Sequence, residues 1–206
     1  PLLLDMLNNN WRSTFYVFAG ISLGFNVIWQ ICGKERTSKE YLEEIQSKDR
    51  SPLASILKYR ELWIISIGLL GTGITWSAFA TFWPTFMLEV FEVSIKTSAM
   101  LMAISGIVGA FAGIAVGLLI NRIGKRRAIL WWTGILLAAT QIGLLWTGYY
   151  LPLILISIAN GAAWTFYPIT FSLPFQLSKI KPREIATAIG FMETTVWIGA
   201  FIGQIM

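Results

Sequence analysis

Six long apolar stretches, separated by short polar breaks, fill most of the chain: roughly Thr14 to Cys32, Leu62 to Leu88, Thr97 to Ile120, Ala128 to Tyr149, Leu151 to Leu177 and Ile185 to Met206. A helix rises 1.5 Å per residue and needs about 20 apolar residues to cross the hydrocarbon of a bilayer, so each stretch is long enough to span with some tilt. The fourth and fifth share one uncharged run. They divide at Gly148-Tyr149-Tyr150-Leu151-Pro152, where glycine, proline and an aromatic pair suit a tight interfacial turn. The pattern predicts an all-α integral membrane protein with six spanning helices.

Composition agrees. Of 206 residues, 55% are hydrophobic and 13% charged, and the mean hydropathy is +0.64, more apolar surface than a soluble domain of this size can hide. The formal charge of +5 would suggest nucleic acid in a soluble protein, but here the cations sit in loops between apolar spans, so no nucleic-acid partner is expected. The single cysteine, Cys32, excludes an intrachain disulfide. With no histidine, the commonest zinc ligand and the usual neutral-pH proton relay are missing, and proton chemistry falls to carboxylates.

Charge also orients the spans. If the loops alternate sides, Lys34 to Arg60 holds seven cations, Arg122 to Arg127 four and Lys179 to Arg183 three, against Arg12 and Lys96 on the other side. The positive-inside rule makes the cation-rich side cytoplasmic. Trp63, Trp131, Trp132, Trp146, Tyr149 and Tyr150 fall near span ends, as an aromatic belt requires. The chain opens on Pro1 with no signal-sequence pattern and is read as a fragment.

The longest loop, Gly33 to Arg60, mixes Glu40, Glu43 and Glu44 with Lys39, Lys48 and Arg50, and Tyr41, Leu42 and Ile45 could line one face of a short helix. Ser51-Pro52 has the form of an N-cap followed by proline at the first helical position, with Leu53, Ile56 and Leu57 as an apolar stripe. A surface helix and a solvated linker are both open readings.

Gly-Leu-Leu-Ile-Asn-Arg-Ile-Gly-Lys-Arg-Arg, from Gly117 to Arg127, resembles the cytoplasmic loop of major facilitator superfamily transporters, whose pattern is G-x-x-x-D-R-x-G-R-R. Gly117, Arg122, Gly124, Lys125 and Arg126 occupy matching positions, and Asn121 stands where the family prefers aspartate. Asn10-Trp11-Arg12 is similar to the turn before the sixth helix of these proteins. Phe82-Trp83-Pro84-Thr85-Phe86 resembles the end of the seventh, and Lys181-Pro182-Arg183-Glu184 the start of the eleventh. The resemblance covers essentially the whole chain. It implies most of the second bundle of such a transporter: residues 1–33 as the end of helix five and helix six, 34–60 as the central cytoplasmic loop, and 61–206 as helices seven to eleven. It further implies the loop around Asn121 as a cytoplasmic gating loop, and the N-terminal bundle of the same chain as a partner.

One ionisable residue, Glu193, lies well inside a span, nine residues beyond Glu184 and so about 13 Å along a helix. A carboxylate there costs about 2.5 to 3.5 kcal/mol, against about 0.3 to 0.6 returned by each Ile, Val or Phe, so Glu193 should face protein or water rather than lipid. It is the candidate for proton coupling or for pairing with a cationic solute; the competing reading is a structural carboxylate bonded to another helix. Gly190, Trp197 and Gln204 share its face. In the fifth span Asn160, Trp164, Tyr167 and Phe171 make one stripe beside Pro168 and Pro174, and in the second Thr72, Trp76, Phe79 and Trp83 make another, ending at Pro84. By resemblance, helices seven, ten and eleven line the central cavity. Trp76, Phe79, Asn160, Trp164, Tyr167, Trp197 and Gln204 are therefore cavity candidates, with ordinary packing the competing reading for any one of them.

Ser105, Gly109, Gly113 and Gly117 recur every four residues, and Gly199 with Gly203 repeats the spacing, which lets membrane helices approach closely. The resemblance implies contact of the first set with the N-terminal bundle. Gln141, mid-span, reads as a packing hydrogen bond. No paired carboxylates, nucleophile with base, metal-ligand cluster or phosphate-binding loop is present, so neither enzyme activity nor a metal or cofactor is expected. The reading is transport of a small solute by alternating access, proton-coupled, in a bacterial inner membrane. The alternative is a six-span channel or scaffold.

Overall fold

The computed structural model describes residues 10–33, 52–123, 126–177 and 180–206, and among them there are helices and no strand. The chain forms two units, Pro1–Lys48 and Asp49–Met206. In the first, α1 (Trp11–Cys32) is capped by Asn10, whose Oδ1 accepts from the backbone N–H of Arg12 at 3.1 Å and of Ser13 at 3.4 Å.

The second unit holds α2 (Pro52–Ile56), α3 (Arg60–Phe91), α4 (Ile95–Ile123), α5 (Arg126–Gly143), α6 (Tyr150–Ala163), α7 (Phe166–Phe171), a 3₁₀ turn (Leu173–Gln176) and α8 (Pro182–Ile205). Five segments are long and apolar enough to cross a membrane: α1, α3, α4, α6 continued through α7, and α8. The fourth predicted stretch is shorter than expected. α5 ends at Gly143, and Leu145 and Trp146 tighten into i→i+3 bonds at 3.0 and 3.2 Å, so the chain reverses before Tyr150. The fifth stretch is not one helix. It breaks at Trp164-Thr165, resumes as α7 and ends in the 3₁₀ turn, with Pro168 and Pro174 unable to donate to the helical ladder.

The principal seam joins α3 to α8, which run parallel with Leu70 beside Gly199 and Ile74 beside Gly203. A Cβ at Gly73 would collide with the Val196 carbonyl, one at Gly199 with the Leu70 carbonyl, and one at Gly203 with the Ile74 carbonyl. Only glycine permits that backbone approach, and close approach matters because lipid offers leucine side chains as good an environment as protein does. A second seam joins α4 to α6: a Cβ at Gly161 would meet the Ser105 carbonyl, and one at Gly109 would lie 3.2 Å from the Gly161 carbonyl. Gly113 comes nearest Pro168, at 3.8 Å. The stripe expected to meet an N-terminal bundle thus seats α6 and α7 of its own unit over Ser105, Gly109 and Gly113. Gly117 has nothing within 4 Å.

Two apolar clusters close the ends of the unit. Ile56, Leu62, Leu69, Ile180, Ala188 and Met192 gather where α3 and α8 begin. Trp83, Met87, Leu101, Leu144 and Leu153 gather at the other end, where Trp83 Nε1 donates to the Leu144 carbonyl at 3.0 Å. Of the stripe predicted after Pro52, Ile56 is buried while Leu53 and Leu57 stay exposed. The cap by Ser51 and the helix around Tyr41, Leu42 and Ile45 lie outside the described residues.

Near the first cluster Glu184 is 2% exposed. Its Oε2 accepts from the Lys181 backbone N–H and from the Tyr59 hydroxyl, both at 3.0 Å, and Ser55 also donates to the carboxylate. Burial, reinforced by the hydrogen bond to this carboxylate and its charge, pushes the Tyr59 phenol up, so it stays protonated and continues to donate.

Gly199→Leu is expected to lower the amount of folded protein in the membrane and its melting temperature in detergent. Gly134→Ala, where a Cβ meets nothing within 4 Å, leaves both unchanged. Size-exclusion recovery and thermal unfolding of the two variants check this, and equal behaviour would show that the α3–α8 seam does not need its glycines.

Candidate solute cavity

Between the two apolar clusters lies a cavity of about 710 Å³, within the range of small-molecule sites. Its walls come from the middles of α3, α4 and α8, the break between α6 and α7, and one residue of α5. The cavity exists because its walls are held at a distance by the two seams and lined by side chains that cannot fill it. Gly106, Gly109 and Gly113 recede on the α4 side, while Trp76, Phe79, Trp164, Tyr167 and Trp197 present ring surfaces.

Of the sequence candidates, Trp76, Phe79, Asn160, Trp164, Tyr167 and Trp197 line this space. Gln204 does not. It is exposed, seven residues beyond Trp197 and so about 10 Å further along α8, near the helix end. Glu193 is not on the cavity wall either. It stands half-buried behind Tyr167, whose hydroxyl reaches both carboxylate oxygens, at 3.2 Å to Oε1 and 3.3 Å to Oε2. Tyr167 is therefore the link between cavity and carboxylate: the residue lines the space, and its hydroxyl holds the charge. Tyr167 also packs on Phe171, with ring centroids 4.6 Å apart, which fixes the ring that carries the hydroxyl.

Asn160 lines the cavity but its hydrogen-bonding capacity is largely spent. It is 2% exposed. Its Oδ1 accepts from Ser105 Oγ at 3.0 Å and from Trp164 Nε1 at 3.3 Å, and its Nδ2 donates to Thr140 Oγ at 3.0 Å. Asn160 thus ties α4, α5 and α6 into one knot and orients the Trp164 ring. Such bonds cost little to make in hydrocarbon and much to leave unmade. Thr72 Oγ1 is likewise engaged, with the Gly68 carbonyl at 3.1 Å.

Gln141, read from the sequence as a packing hydrogen bond, lines the cavity from α5. The signal was available, since Gln141 is the only amide in its span. The packing reading rests on the family resemblance, which implies a peripheral position for this helix. Glu184 was read only as the start of a span, and its burial beneath Tyr59 is a contact across 125 residues that no local pattern announces. In the basic loop, α4 continues through Asn121 and Arg122 to Ile123, and Gly124 and Lys125 lie outside the described residues. Among the described residues no group of three or more His, Cys, Asp or Glu could hold a metal ion.

Helices long and apolar enough to cross a bilayer, gathered around a cavity, define a multi-pass membrane protein. The sequence profile of the Major Facilitator Superfamily matches residues 1–204, and the chain belongs to that family. It is 27% identical over 124 residues to an uncharacterized transporter, YybO, of Bacillus subtilis (strain 168), an alignment covering 52% of this chain and 28% of that protein. The chain thus matches less than a third of the relative's length. No solved structure matches the chain.

Asn160→Ala is expected to leave Ser105 and Thr140 without their amide partner and to destabilise the unit by about 1–2 kcal/mol. Thermal unfolding in detergent checks it, with Phe171→Leu as an apolar comparison. Unchanged unfolding in Asn160→Ala would remove the knot as a stabilising element.

Proposed function

We propose that this chain forms most of the second bundle of a proton-coupled transporter that moves a small solute by alternating access about the cavity between α3, α4, α6–α7 and α8. One observation carries the reading: the Tyr167 hydroxyl joins Glu193 to the cavity wall at 3.2 and 3.3 Å. No other carboxylate, lysine or arginine stands well inside a span. A carboxylate in that position can take up a proton on one side of the membrane and release it on the other. Tyr167 is the titratable group against it, and α3, the main helix packed along α8, carries no ionisable side chain between Leu62 and Leu88. When the carboxylate is charged it accepts the Tyr167 hydroxyl; when protonated it becomes a donor itself. The ring on the cavity wall thereby feels the state of the proton site.

In this reading residues 1–33 supply the end of helix five and helix six, 34–60 the central cytoplasmic loop and 61–206 helices seven to eleven. The basic loop from Gly117 through Asn121, Arg122 and Gly124 to Lys125 and Arg126 gates the cytoplasmic side. The cation-rich loops put that side inward, in a bacterial cytoplasmic membrane. Membership in a transporter family and similarity to a protein named as a transporter favour this over a channel or scaffold.

Glu193→Gln keeps the size of the side chain and its ability to bond Tyr167 but cannot exchange a proton. In the full chain it is expected to abolish the pH dependence of transport while membrane abundance stays normal. Counterflow and gradient-driven uptake in proteoliposomes across pH 5 to 8 read the effect, and an unchanged pH profile would remove Glu193 as the coupling residue.

A further inference from the structure

The chemistry of the cavity wall narrows what it can hold. A sugar or other polyol needs many hydrogen-bonding partners, because each hydroxyl left unpaired in a site away from water costs free energy. Here most of the polar atoms near the wall are already committed: Asn160 to Ser105, Thr140 and Trp164, Thr72 to its own helix, and Tyr167 to Glu193. Among the described residues Gln141 is the lining amide without a side-chain bond of its own. An organic anion needs a cation, and the segments 62–88, 97–119, 128–177 and 185–206 contain no lysine or arginine, so this bundle's side of the cavity offers none.

What the wall offers in quantity is aromatic ring surface, from Trp76, Phe79, Trp164, Tyr167 and Trp197. The face of an aromatic ring carries negative quadrupole charge and attracts cations within about 6 Å of its centroid, tryptophan most strongly, and the attraction grows as water is removed. Behind one of these rings stands the carboxylate of Glu193, oriented by the Tyr167 hydroxyl. A wall rich in aromatic rings with a negative charge behind one of them makes an arrangement complementary to a positive charge spread over an apolar body.

We infer that the cavity binds an organic cation of the quaternary-ammonium or protonated-amine class, bearing apolar or aromatic groups, seated on the ring faces with Glu193 as counter-charge. This rests on the cavity being the solute site of the transporter proposed above. A body of this class fits a space of about 710 Å³. Because the same carboxylate would serve proton and cation, the two are expected to compete for it.

The test uses the full chain in lipid nanodiscs and two probes of nearly identical shape, phenyltrimethylammonium and its uncharged carbon isostere tert-butylbenzene, followed by intrinsic tryptophan fluorescence and calorimetry. The cation is expected to bind about tenfold more tightly than the isostere. Trp76→Leu and Trp197→Leu should each reduce that preference, and Glu193→Gln should reduce it further and remove its pH dependence. Equal affinity for the two probes, tighter binding of benzoate or glucose, absence of cation binding, or an unaltered preference in Glu193→Gln would each overturn the assignment. Solute counterflow in the same preparation separates the outcomes: pH-dependent transport of another solute with no cation preference leaves the transport reading standing and rejects only the substrate class.

Discussion

The structure depends on how closely two helices can approach in a medium that gives no reward for burying leucine. In water, apolar surface drives helices together; in lipid it does not, and what remains is dispersion between atoms in contact and hydrogen bonds that hydrocarbon cannot replace. Gly73, Gly199 and Gly203 bring the α3 and α8 backbones into contact along several turns. That seam sets the register that leaves Val196, Trp197 and Ala200 on the cavity wall and Glu193 one turn away, opposite Tyr167. A shift of one residue along the seam would turn Glu193 through about 100° and away from its partner.

The cavity is bounded by a similar economy of polar groups. Ser105, Thr140, Asn160 and Trp164 satisfy one another, so three helices are joined and one ring is aimed without leaving a polar atom to be filled by water. The break after Ala163 places Trp164 and Tyr167 on the wall, at the point where an unbroken helix would have carried the chain past it. Rigidity near the knot and irregular backbone beside it occur together, because in membranes non-helical backbone is tolerated where protein or a cavity covers it.

Much of this was legible in the chain itself. Runs of more than 20 apolar residues admit few interpretations, so the class of an all-helical membrane protein followed from hydropathy. The stripes containing Trp76 and Tyr167 were visible as helical periodicities. Partners were not, because Tyr167 and Glu193 are 26 residues apart, and Tyr59 and Glu184 are 125 apart. A stripe names the face that is special without saying what it meets. Hence Asn160, read as a solute contact, also ties three helices together, and Ser105 and Gly109, read as facing another bundle, seat α6. Gln204 shares a helical face with Trp197, but the cavity does not extend along α8 to its position. Pro168 marked the interruption of the fifth stretch without locating the break at Trp164-Thr165.

The Asn160 knot also has a direction in time. Ser105 and Thr140 both precede Asn160 in the chain, so when α6 leaves the ribosome its two polar partners have already been made. Its span has the largest buried share of the five, and is also the least apolar, so it draws less on lipid for its stability than α4 does. Antiparallel α5 and parallel α4 therefore precede α6 with the groups that complete its hydrogen bonds. For Tyr167 the order is reversed, because Glu193 is synthesised later. The order of synthesis thus supplies the partners of Asn160 before it and the carboxylate that holds Tyr167 after it.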